Sequence, residues 1–186
     1  MAITLNGSGT ITGVSSLATA LVNPVVTTTM GVGNATPAAS GAGITFPAAQ
    51  SASSNVNTLD DYEEGTWTPT VSGSTTAGAG TYTSQVGRYT KVGNRFIFSC
   101  YVVWTAHTGT GNLQLTNLPF ASVNQTNVQP VFSIIADSLT FTNTLCVVMA
   151  PNQVFAYIAS FSSGAANASI AMDTAAGLYI SGQYEV

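Results

Sequence analysis

Apolar residues return at every other position through the second half of the chain. In "RFIFSCYVVWT", Phe96, Phe98, Cys100, Val102 and Trp104 share one face, and Ile97, Ser99, Tyr101, Val103 and Thr105 share the other. A period of two is that of a β-strand, and here the second face is itself half apolar. Gly93-Asn94 just ahead predicts a tight hairpin with "GRYTKV". "GNLQLTNLPF", "QPVFSIIADSLTF", "ASIAM" and "GLYISGQYEV" repeat the pattern, and "TLCVVMAPNQVFAYIASF" reads as two strands around a turn at Pro151-Asn152-Gln153. Short strands recurring about every 8–12 residues predict an all-β, antiparallel β-sandwich, jelly-roll-like head over residues 66–186.

Before residue 58 the pattern fails. Residues 1–57 contain no charged residue, and their only aromatic is Phe46. Short elements are predicted within them: a hairpin in "ITLNGSGTITGV", and a two-turn helix in "SSLATALVNP", where Leu17 and Leu21 are spaced i,i+4 and Pro24 is a stop. So little apolar area cannot offset an ordering cost of roughly 1–2 kcal/mol per residue. Residues 1–57 therefore read as an extended arm that depends on partners.

Composition sharpens this. Charged residues make up 5% of the 186, against about 25% in ordinary domains. A surface without Lys, Glu, Arg and Asp lacks the usual protection of sheet edges, which points to obligate assembly. The net charge of −4 leaves no basic stripe for nucleic acid. No basic residue precedes Arg88, which removes a secretory n-region and a polybasic membrane anchor, and no apolar run is long enough for a spanning helix. Cys100 and Cys146 lie in alternating runs and read as small buried hydrophobes.

The charge that remains is gathered. "TLDDYEEGTWTPTV" holds Asp60, Asp61, Glu63 and Glu64, four of the seven carboxylates, and the cations are Arg88, Lys91 and Arg95. Paired carboxylates could do acid–base work, but need a groove and a second partner set. An EF-hand's alternating ligands, turn Gly and late Glu are missing, while a calcium site of another kind stays open. Thr58-Leu-Asp-Asp61 matches a capping box, with Gly65 placed to end the short helical turn it would begin. The simplest reading is a joint over residues 58–65. Its carboxylates are expected to meet the three cations, within a subunit or across a subunit interface. The competing reading makes the cations an anion site for acidic polysaccharide.

Three stretches together resemble a recurrent module of tailed-bacteriophage fibre proteins: "ITLNGSGTITGVSSL", "GITFPAAQSASSNVNTLDDYEEGTWTPTV", and "GTYTSQVGRYTKVGNRFIFSCYVVWT" with its later "LTNLPF". The resemblance implies a homotrimeric virion fibre, assembled in the host cytoplasm. Its arm would attach to other virion proteins of the tail, portal or capsid, and its β head would present a surface to the host. No catalytic motif, cofactor or metal travels with the module. Tail fibre, short head fibre and small decoration protein remain alternatives, the last a structural role without a receptor.

Few residues carry candidate chemistry. His107, the single histidine, lies in the Gly-rich "TAHTGTGN" and reads as an exposed loop residue. No nucleophile elbow, Ser-His-Asp context or phosphate-binding loop is present, so the expectation is a protein that is not an enzyme. Trp67, Trp104, Tyr157, Tyr179 and Tyr184 could stack on sugars but read first as core or interface. Loops over residues 105–112, 121–129 and 162–168 are the default receptor surface, which makes His107, Asn112, Asn124 and Asn127 its candidate contact residues.

Overall fold

A computed structural model describes residues 29–186 of the chain. The hairpin expected over residues 3–14 and the helix expected over 15–24 lie outside them. The chain divides into two units between Thr45 and Phe46. In the first, β1 (Thr29–Gly31) pairs in parallel with β2 (Gly43–Thr45), Met30 opposite Ile44. Gly33 and Asn34 turn the chain through left-handed conformations at the start of the connection.

The second unit is all-β. It contains β3 (Tyr62–Trp67), β4 (Thr70–Gly73), β5 (Gly80–Val92), β6 (Arg95–His107), β7 (Leu113–Thr116), β8 (Val131–Asp137), β9 (Thr144–Val148), β10 (Ala156–Phe161), β11 (Ala168–Ser169) and β12 (Ala176–Glu185). All pair antiparallel in the order β3-β5-β6-β12-β8-β9-β10-β7-β4, with β11 beside β10. The sheet curls on itself. β8 makes the corner: Val131 and Phe132 pair with β9, while Ser133 to Asp137 pair with β12.

Curling places both halves around one core. Phe96, Phe98, Cys100, Val102 and Trp104 of β6 are all buried, as their alternation predicts, and lie beside Leu178, Ile180 and Tyr184 of the neighbouring β12. The other half contributes Val71, Leu113, Leu115, Val147 and Ile158 to the same cluster. Each such side chain contributes about 1.5–3 kcal/mol on full burial. Two polar atoms of the core have partners, Trp104 Nε1 donating to Asp173 O at 3.0 Å and Tyr184 Oη donating to Phe120 O at 2.7 Å, whereas Trp67 Nε1 is buried without one among the described residues.

The ends of the strand order, β3 and β4, follow each other through Thr68-Pro69, and side chains close the seam between β4 and β5. Tyr82 Oη bonds both Val71 N and Val71 O at 3.1 Å, and Gln85 Nε2 donates to Pro69 O at 2.9 Å.

Two local expectations are corrected. No helical turn follows Thr58: Tyr62–Trp67 are extended against β5 from Val92 back to Gly87, so the carboxylates sit on or beside a strand. Gly65 is required for another reason, since a Cβ there would lie 2.4 Å from the Tyr89 ring that crosses it. His107 is not an exposed loop residue. β6 continues three residues past Trp104, and His107 ends it at 8% exposure, opposite Gly80.

Candidate functional site: joint, outer face and head loops

The charged residues form separate contacts rather than one cluster. Lys91 lies on the core side of β5 and makes an ion pair with Asp61, both nearly fully buried. Its Nζ lies 3.5 Å from Gln50 Oε1 and 5.6 Å from the centre of the Phe120 ring. The Asp61 carbonyl accepts from Gly93 N at 2.9 Å, which ties the approach to β3 onto the β5–β6 turn.

Asp60 faces the other way. Its carboxylate accepts from Ser53 N at 2.7 Å and from Gln50 Nε2 at 3.3 Å. The Ser53 N–H, more than the Gln50 amide, holds this carboxyl below the ordinary aspartate range. Asp60 thereby closes residues 50–60 on themselves, and Lys91, touching Gln50 and Asp61, straps the two ends of that segment to the head.

Glu63 accepts from Tyr89 Oη, and Glu64 from Tyr62 Oη. The Glu63 contact, with burial adding to it, pushes the Tyr89 phenol up to about 12. Arg95 pairs with Glu185 at 3.1 Å on the surface. Arg88 is exposed on the outer face of β5 and makes no ion pair among the described residues. One cation of three therefore meets the acidic stretch, and the three do not converge on a shared anion. Among the described residues, no three carboxylate, histidine or cysteine side chains come together in a metal-binding group.

His107 joins the two halves. Its Nε2 lies 3.1 Å from Val71 O, and its Nδ1 accepts from Gly109 N at 2.9 Å. Those partners match the tautomer with the proton on Nε2. Asn112 N donates to Ser74 Oγ at 2.8 Å, and Asn112 bridges to Ala171. Asn124 and Asn127 are exposed in the 121–129 segment, where Asn127 is left-handed at φ 66°. Ser122 anchors that segment by donating from Oγ to Ala150 O at 2.8 Å. Burial takes His107 out of the candidate receptor surface, while the three asparagines remain on it.

The outer face of β5, β6, β12 and β8 leaves a set of apolar side chains open in the head. Register aligns Val86, Tyr101, Tyr179 and Ile135 in one row across these strands. Tyr101 and Tyr179 stack with ring centres 4.1 Å apart, and Val86, Tyr179 and Ile135 are 50%, 45% and 68% exposed. Ser99, Ser181 and Ser133 form the neighbouring row and floor a shallow depression beside Tyr179. Arg88 and Asp137 stand at opposite margins of the row, both exposed. The sequence exposed this face only as the half-apolar second side of β6; the row itself needs the pairing of β12 and β8.

No family model matches the sequence, and no curated protein matches it. Among solved structures, the crystal structure of the Dettilon tailspike protein (gp208) superimposes on 67% of this chain with a TM-score of 0.54 and 22% identity. The match spans 24% of that chain's length. The curled antiparallel sheet is thus a fold that also occurs within a bacteriophage tailspike protein.

Proposed function

We propose that this chain is a virion protein of a tailed bacteriophage: a homotrimeric fibre, joined to other virion proteins by its N-terminal arm and presenting the β head for recognition of a host-surface glycan. The observation that carries the reading is the recurrence of the head's fold within a phage tailspike protein. The fibre-like "LDDYEEGTWTPT" stretch and the scarcity of surface charge agree with it. The role is binding rather than bond cleavage, because the acidic stretch is committed to Lys91, to the Tyr62 and Tyr89 phenols and to the Ser53 strap.

Assembly uses the outer face around Tyr101 and Tyr179. Four strands about 4.8 Å apart and about ten residues long cover on the order of 600 Å², which approaches the roughly 800 Å² that each partner of a stable complex buries. Arg88 at one margin and Asp137 at the other give successive copies around a threefold axis opposite charges to bring together.

Two measurements test the proposal. Sedimentation of the full chain is expected to give three copies, and Ile135→Lys to reduce it to one; a folded wild-type monomer refutes the trimer. Particles lacking the protein are expected to lose adsorption to host cells. Normal adsorption refutes host recognition and leaves an attachment or decoration role.

A further inference from the structure

We infer that the groove over β9, β10 and β11, on the half of the sheet away from the Tyr101–Tyr179 row, binds an uncharged saccharide. The inference rests on the proposed host-recognition role and assigns it a place and a ligand class. The groove has a volume of about 300 Å³, and Gln129, Tyr157, Asn167 and Ser169 line it over a floor that includes Val148 and Ala159. Tyr157 pairs with Val148 on β9, and Ala159 pairs with Ser169 on β11, so three strands bring these side chains to one surface. Gln129 arrives from the 121–129 loop and Asn167 from the 162–168 loop.

Three features select the ligand. First, Tyr157 is half-buried and braced by Phe155, edge-on at 5.2 Å and 82°, which holds its ring ready for an apolar sugar face. Second, no hydrogen bond among the described residues engages the amides of Gln129 and Asn167 or the hydroxyls of Tyr157 and Ser169. These groups offer donors and acceptors together, as the hydroxyls of a sugar require. Third, no ionisable carboxylate or amine lines the groove. The three cations are placed elsewhere: Lys91 with Asp61, Arg95 with Glu185, and Arg88 on the outer face of β5. A uronate or sialate would find no counter-charge here, and the chain's net charge of −4 opposes it. The volume lies at the small end for ligand sites, which suits a short saccharide segment.

The test presents the full-length protein with an array of neutral and uronate- or sialate-containing bacterial glycans, then measures the affinity of the best binder for two variants. Neutral glycans are expected to bind. Tyr157→Ala is expected to weaken binding about tenfold or more, equivalent to about 1.4 kcal/mol. The exposed Asn167→Ala reports on the same groove if the tyrosine variant misfolds, and is expected to weaken binding severalfold. Neutral-glycan binding that both folded variants retain overturns the groove while leaving host recognition standing. Binding confined to acidic glycans overturns the ligand class. Absence of any glycan binding, with adsorption still dependent on the protein, overturns this inference but not the host-recognition role.

Discussion

The two halves of the curled sheet are built to different rules. The half formed by β3, β5, β6, β12 and β8 rests on two 13-residue strands joined by the Gly93-Asn94 turn, with aromatic side chains on its inner face and an apolar row on its outer face. The half formed by β9, β10, β7 and β4 has strands of four to six residues. Its connections use left-handed Asn117, Asn143 and Asn152. Long regular strands make a flat surface suited to another copy of the chain; short strands with tight asparagine turns leave concave ground for a small ligand. One shared core lets both exist in a unit of this size.

The comparison is broken most directly through that core. Phe96→Ala in the long half and Ile158→Ala in the short half are each expected to cost about 2–5 kcal/mol. Both should shift the same single unfolding transition in denaturant, and two separable transitions would show that the halves are independent. Next comes the buried pair at the margin of the long half. Lys91→Ala leaves Asp61 buried without its cation, with an expected loss of about 3–5 kcal/mol, whereas Lys91→Met combined with Asp61→Leu should restore most of it. A double variant no more stable than the single one contradicts the pairing. The smallest effect concerns the strap. The lowered pKa of Asp60 means that its contribution is present above the ordinary aspartate value of 3.8 and is lost as pH falls through the lower, folded-state value. Protection of the Ser53 amide, its exchange relative to the unstructured rate at the same pH, should therefore fall at low pH. Asp60→Asn should lower that protection and make it independent of pH, and an unchanged protection profile would remove the strap's role.

The long half was readable because periodicity reports which face of a strand is buried, and β6 alternates without interruption from Phe96 to Trp104. The hairpin at Gly93 was readable because its turn is local. Thr58 to Gly65 misled because a capping box is also a local signal, and pairing of β3 with β5 overrides it. His107 misled because flanking glycines mark a turn but do not show which residue ends the strand before it. The groove was half visible: the 121–129 and 162–168 loops were candidates, but nothing local shows that Gln129 and Asn167 meet at Tyr157. That meeting depends on strands far apart in sequence, as does the dual membership of β8.

β12 comes last in chain order yet lies in the middle of the long half, between β6 and β8. Nothing can bridge those two strands until residues 176–185 have left the ribosome, so this half completes itself only after synthesis has passed them. A chain cut short before that point would present β6 and β8 as bare, apolar margins and be drawn into aggregates.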